Sequence, residues 1–462
     1  MINFAEEKEK TLLFSIRIAI MINKRILLLS LLLSSVVVSP LGIKAVRTSP
    51  KMVNTSANSH KAADASPEIP FSTYFCDSTL RLDYIFAGDA NRQDIYVDQL
   101  SLTPCWYGKR CRLADVPLMG NGQLIVRSQH SDSIIFRHSF STLFQEWLAT
   151  AEAKTTPRSF ENVFLMPMPR DTVRVTIELY DYHQRTVATM THTVSPDDIL
   201  IRRNTNTPTP FEVLHRPAAD YDKYIKIAFV AEGYTASEME QYLSDCREAC
   251  DALFSHEPFR SLSDRFQVVA LLSASEDSGV SEPSNGIWRS TVLGSHFDTF
   301  YSRRYLTTLH LKRLHDLLSG VPYEHIIILA NTEHYGGGGI YNSYNLSYTR
   351  GHNFRPVVVH EFGHSFGGLA DEYPYGDDDP MYFADTEPWE PNLTTLFDFD
   401  SKWKQLMEHD ARVGLHEGGG YLSKGVWRAC ENCRMRTNEE PEFCPVCQDA
   451  LTRLIMFYTT TP

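Results

Sequence analysis

The stretch VVVHEFGHSFGG, residues 357–368, decides how this chain is read. Val357, Val358 and Val359 form a β-branched apolar run that anchors a helix in a core, and Gly367-Gly368 ends that helix within a turn of His364. His360 and His364 stand four residues apart. On a helix that spacing stacks two side chains on one face, with Cβ atoms about 5–6 Å apart, so both imidazoles can point at one ion. Glu361 lies next to the first of them, where it can take a proton from a water whose pKa a bound zinc lowers to about 7. The pattern predicts a helix with a zinc site, His360 and His364 as ligands and Glu361 as general base.

Catalytic zinc takes three protein ligands and keeps a fourth position for water. In the metzincin pattern H-E-x-x-H-x-x-G-x-x-H the third ligand is a histidine, but that position here is Ala370, with the acid Asp371 immediately after it. If Gly368 makes the turn, the Gly-x-x-ligand interval is kept and Asp371 arrives at the metal. Glu372 and a distant glutamate on a following helix, as in thermolysin-like enzymes, are the alternatives. Downstream, Cys433-Arg434-Met435-Arg436 is similar to the Met-turn that floors such a site. Tyr373 and Arg436 are candidate donors to the oxyanion of a hydrolysis reaction.

Outward from the motif, the second half changes periodicity in an α/β manner. A buried-strand pattern at Tyr224–Val230 leads to a turn at Glu232-Gly233, with Thr235 placed to cap a helix from Ser237 to Phe254. A strand at Gln267–Leu272, a helix at Leu306–Leu318 and a strand at His325–Ala330 follow. Four glycines at 336–339 permit close backbone approach, and Ile340-Tyr341 suit an edge strand on which a peptide could pair.

The first half reads differently. Short alternating runs at Leu80–Phe86, Leu124–Val126, Ser133–Phe136, Val173–Ile177 and Thr186–Thr189 predict half-buried strands, and together an antiparallel β-sandwich over residues 69–205. No catalytic constellation is visible in it. Asn204–Pro210 breaks both periodicities and separates the sandwich from a catalytic domain over residues 211–462. The expected fold class is α+β overall, an N-terminal antiparallel β-sandwich followed by an α/β metzincin-like zinc peptidase domain.

Lys24-Arg25, the apolar run Ile26–Val38, Pro40 and small residues to Ala45 make residues 1–45 an export segment, with residues 1–20 an upstream extension before Met21. The run is shorter than the about 20 residues of a spanning helix, so no stable membrane span is expected once it is removed. Residues 46–68 are polar and small and read as a linker. The expected location is periplasmic, cell-surface or secreted. Of the 462 residues 43% are apolar and 22% charged, a soluble composition, and the net charge of −13 argues against a nucleic-acid partner.

The cysteines pull two ways. Cys430-x-x-Cys433 and Cys444-x-x-Cys447 have the spacing of a second, structural zinc site, whereas export favours disulfides among the same four. Cys105 with Cys111, and Cys246 with Cys250, are close enough for local pairing, which leaves Cys76. Asp377-Asp378-Asp379 reads as a solvated acidic loop, with calcium as its runner-up.

HEFGHSFGGLADEY at 360–373, the glycine-rich Tyr335–Asn342, Glu232-Gly233-Tyr234-Thr235 and the Met435 segment together resemble the IgA-peptidase family of bacterial zinc metallopeptidases. The resemblance covers most of residues 210–462, and the first domain is similar to the β-sandwich preceding the catalytic domain in many members. It implies a zinc endopeptidase acting on protein or peptide, with His360, His364 and Asp371 on the metal and Glu361 as base. It does not carry immunoglobulin specificity. A zinc exopeptidase, and a host protein- or glycan-binding protein with a degenerate peptidase domain, are the alternatives.

Overall fold

The computed structural model describes residues 68–203, 207–217, 224–375 and 381–461, all of them in one compact unit, Ala62–Pro462. The export segment, the linker up to residue 67, the boundary residues 204–206 and the acidic run 377–379 lie outside the described residues.

The alternating runs of the first half become β1 (Phe75–Gly88), β2 (Gln93–Pro104), β3 (Gly122–Ser128), β4 (Ile134–Phe140), β5 (Arg158–Pro169), β6 (Val173–Tyr180), β7 (Thr186–Val194) and β8 (Arg202–Arg203). They form two four-stranded sheets, ordered β5-β1-β2-β8 and β4-β3-β6-β7. The pairings are antiparallel except for the short parallel contact of β8 with β2. Period-two alternation sends Val173, Val175, Ile177 and Leu179 of β6 inward. They share one core with Leu80, Leu82, Leu124 and Val126, and Phe140 of one sheet meets Phe164 of the other at 4.3 Å between ring centres. Each fully buried side chain of this kind contributes about 1.5–3 kcal/mol.

The second half is built on a six-stranded sheet: β9 (Phe211–His215), β10 (Ile225–Glu232), β11 (Phe266–Leu271), β12 (His325–Ala330), β13 (Gly337–Ile340) and β14 (Tyr344–Tyr348), in the order β13-β14-β12-β10-β11-β9. Its four inner strands are parallel and the two outer ones antiparallel. Parallel strands are covered on both faces, which is why β10, β11 and β12 read as near-continuous apolar runs. Ala228, Val230, Ile326 and Ile328 face the core that holds the two N-terminal sheets. Ile227, Phe229, Ile327 and Leu329 face a second core. That core is closed by α2 (Met239–Phe254), α4 (Phe354–Ser365) and α5 (Pro445–Thr459), while α1 (Leu143–Leu148) and α3 (Leu311–Leu317) lie on the other side, in the first core.

Thr235 and Glu238 form a capping box on the turn leading into α2. The helix expected from Leu306 begins only at Leu311, because Thr307 is held by a pair of backbone hydrogen bonds to His296, at 3.0 and 3.3 Å, that draw the chain straight. A small sheet, β15 (Leu393–Thr394), β16 (His416–Gly419) and β17 (Leu422–Arg428), had no counterpart among the expectations. No described helix is long and apolar enough to cross a membrane.

Candidate active site

α4 carries the motif. Val357, Val358 and Val359 are buried and fix the helix against the core, which leaves His360 and His364 on its open side. The helix stops because Gly368 adopts φ +58°, a conformation that costs a glycine little. Gly368, rather than Gly367, makes the turn. The reversal hands the Leu369 carbonyl to His364 Nδ1 at 2.6 Å and carries Asp371 back over the helix. Asn392 pins the returning strand through both backbone groups of Ala370, at 2.8 and 2.9 Å, and Gly420 N donates to the Asp371 carbonyl at 2.8 Å.

The result is a convergence of three ligand atoms. His360 Nε2 and His364 Nε2 are 3.0 Å apart, and Asp371 Oδ1 lies 3.0 Å from the first and 3.3 Å from the second. His360 Nδ1 faces the Arg434 carbonyl at 3.0 Å, as His364 Nδ1 faces that of Leu369. Each Nδ1 therefore carries a proton, so in the neutral rings each Nε2 presents a lone pair. Two lone pairs and a carboxylate at this separation repel one another unless a cation sits among them, so the donor set fits a metal ion. The same site also favours positive charge on the ring itself. Burial opposes charge on His364, but Asp371 beside it outweighs burial and raises its pKa to about 9. Burial likewise opposes charge on Asp371, and the two imidazoles reverse it, holding the carboxyl far below the usual range. Tyr421 donates to the other oxygen, Oδ2.

Glu361 points from the same helix into a cavity of about 960 Å³ that the three residues also line. Burial raises its pKa. β13 runs across this helix, and the glycines are what let it: a Cβ on Gly337 would stand 2.6 Å from Glu361 Oε1, and one on Gly339 2.4 Å from the Glu361 carbonyl. β13 is an outer strand, as expected, but its edge is partly filled by the protein itself. Tyr305 bridges Gly337, and Ser141 N donates to the Tyr341 carbonyl at 3.0 Å. Tyr373 and Arg436 both line the cavity; Arg436 directs its guanidinium to the Glu431 carbonyl and Asn432 Oδ1.

One cavity residue has no motif to announce it. Glu146, on α1 in the first half, reaches the cleft, accepts a hydrogen bond from Tyr305 and has its pKa pushed up to about 7 by burial. Its only sequence signal is the Thr142 cap that starts α1, which places a helix but not a function.

Beneath the site, Met435 is fully buried, and its Sδ lies 2.6 Å from where a Cβ on Gly363 would be, so it packs directly under α4. Its carbonyl accepts from Glu372 N at 2.9 Å. Glu372 itself turns away from the three-residue site to face cysteines. Glu372, Cys433, Cys444 and Cys447 bring their ligand atoms within 4.8 Å of one another. Two expectations are corrected here. All nine cysteines are free, and Cys433 Sγ and Cys447 Sγ are 3.7 Å apart, against about 2.05 Å in a disulfide. Cys430 stands outside the set that converges within 4.8 Å: its thiol touches that of Cys444 at the edge of the cluster and is shared with the Arg412 carbonyl at 3.2 Å.

The sequence signature of the IgA Peptidase M64 family matches residues 216–412 and 407–455, and that of the Peptidase M64 N-terminus matches residues 70–191. Comparison with the curated proteins gives no match. Among solved structures, the chain is similar to metalloproteinase-II from Bacteroides fragilis, at 12% identity over 50% of this chain and 82% of that one, with a TM-score of 0.18. The family matches and the metal-fitting triad define a metallopeptidase, an enzyme that hydrolyses protein or peptide substrates. Within that class, the chain belongs to the IgA Peptidase M64 family.

Proposed function

We propose that this chain is an exported zinc endopeptidase in which His360, His364 and Asp371 hold the ion and Glu361 is the general base. One observation carries the reading: two imidazole Nε2 atoms and a carboxylate oxygen meet within 3.0–3.3 Å, each ring fixed from behind by a carbonyl. Zinc bound there supplies Lewis acidity, polarising a carbonyl and lowering the pKa of a water to about 7. Glu361 takes the proton of the attacking water and delivers it to the leaving amine. Tyr373 is the better placed of the two oxyanion donors, since its hydroxyl lies against Asp371 at the site while Arg436 is held by Glu431 and Asn432. Tyr421 and the carbonyls of Arg434 and Leu369 orient the ligands. Residues 69–205 are read as a β-sandwich that walls the cleft, and residues 211–462 as the metzincin-like catalytic domain.

Glu146 favours a second reading. A half-buried carboxyl in the cleft is the group an exopeptidase uses to hold a free N-terminus. Mapping the fragments of a denatured protein separates the two, since internal cuts belong to an endopeptidase and stepwise loss from one end to an exopeptidase. The metal and base assignments are tested by zinc content and proteolysis of wild type beside Glu361→Ala and Asp371→Ala. The first should keep its zinc and lose about 10²–10⁴-fold in rate; the second should hold zinc weakly. Full activity in Glu361→Ala would refute the assignment of the base.

A further inference from the structure

We propose that Glu372, Cys433, Cys444 and Cys447 bind a second zinc ion, structural rather than catalytic, that locks the residues after Asp371 to the Met435 turn. Three thiols and a carboxylate are gathered within 4.8 Å from three separate segments, all of them buried. Two of their separations match a coordination shell. Ligand atoms on a tetrahedron about zinc stand about 3.8 Å apart for two sulfurs and about 3.5 Å for a sulfur and an oxygen, given Zn–S near 2.3 Å and Zn–O near 2.0 Å. Cys433 Sγ to Cys447 Sγ is 3.7 Å and Cys447 Sγ to Glu372 Oε1 is 3.4 Å.

A second observation points to a cation independently of those distances. Glu372 is wholly buried, and although Asn392 donates to Oε1 at 3.0 Å, Oε2 has no hydrogen-bond partner. A buried carboxylate with an orphaned oxygen costs several kcal/mol unless positive charge meets it. The nearby guanidinium, that of Arg428, is directed instead at the carbonyls of Glu417, Gly418 and Glu431. Cys444 N donates to Cys433 Sγ at 3.2 Å, and Cys444 and Cys447 sit at the N-terminus of α5, where the helix dipole favours thiolates. Sulfur-rich tetrahedral sets of this kind select zinc.

The position gives the ion a purpose. Glu372 adjoins Asp371, and Cys433 adjoins Arg434, whose carbonyl orients His360, so one ion would brace a proposed ligand and the support of another. Closed four-ligand sites contribute stability and leave no position for substrate.

The test is metal content of the full chain purified in zinc. Wild type should carry two ions. His360→Ala/His364→Ala should keep one, and after cobalt exchange that variant should show sulfur-to-cobalt charge-transfer absorption. Cys433→Ser/Cys447→Ser should keep at most one and lose that absorption, Glu372→Gln should release the second ion to a chelator at least 10-fold faster, and Cys430→Ser should hold two. The cobalt spectrum of wild type reads the thiolates even if the cysteine variant does not fold. Absence of a sulfur band in wild type, a disulfide among these cysteines in the non-reduced mass, or loss of the ion in Cys430→Ser but not in Glu372→Gln would overturn the proposal.

Discussion

At the scale of single residues, the cleft depends on side chains that are missing as much as on those present. Gly337 and Gly339 are where β13 lies against α4, and each forbids a Cβ for a different reason. At Gly337 the obstacle is the Glu361 carboxylate, so Gly337→Ala should displace the base and lower kcat by about 10²-fold with little change in melting temperature. At Gly339 the obstacles are the Glu361 carbonyl and His364 Cβ, at 2.4 and 2.8 Å, which cannot swing aside. Gly339→Ala should instead cost about 1–3 kcal/mol of stability, seen as a fall in the denaturant midpoint. Equal loss of activity and stability in both would mean that β13 is not seated as described.

At the scale of elements, α4 rests on the sheet through a buried histidine. His325 of β12 is 7% exposed, with its ring edge on Phe362 of α4 and on Phe366 just beyond its end, and burial pushes its pKa down to about 3. The unfolded chain takes up that proton below about pH 6.5 and the folded chain does not, so the contribution is complete above that pH and is lost as pH falls towards 3. Between pH 7 and pH 5 this one residue should remove up to about 2 kcal/mol. His325→Leu should flatten the acid limb of a urea-midpoint profile by that amount; an unchanged slope would place the ring in water.

Elements also show what could be read from the chain beforehand. His325–Ala330 was legible to the residue because a parallel inner strand is buried on both faces and so is apolar throughout. The α4 helix was legible from its spacing and its end from the glycine pair, whereas the choice of Gly368 over Gly367 for the turn was left open until the fold gave Gly368 its left-handed φ. β2 and β5 were not expected; Pro167 and Pro169 disguise the end of β5, and β2 exposes Tyr96 and Val97. Glu146 was invisible, as was the meeting of Glu372 with three cysteines, because both depend on chain segments brought together only by the fold. The four-cysteine pattern named three members of that cluster and gave no hint of the fourth.

On the scale of the whole molecule, the six-stranded sheet is a shared wall. One of its faces completes the core of the N-terminal sheets, and the other carries α4 and the site. The first half therefore cannot be peeled away without exposing Ala228, Val230, Ile326 and Ile328 to water. Residues 68–461 should unfold in a single calorimetric transition, with van't Hoff and calorimetric enthalpies in agreement. Two resolved transitions would show that the halves are independent. The same wall explains why the cleft draws Glu146 and Ser141 from the first half and the α4 residues from the second.

The most direct test of the central claim is an anomalous difference map at the zinc edge from crystals of the zinc-loaded protein. A peak is expected about 2.0–2.2 Å from His360 Nε2, His364 Nε2 and an oxygen of Asp371. A map with those three side chains ordered and no peak among them, whatever is found at the cysteines, would contradict it.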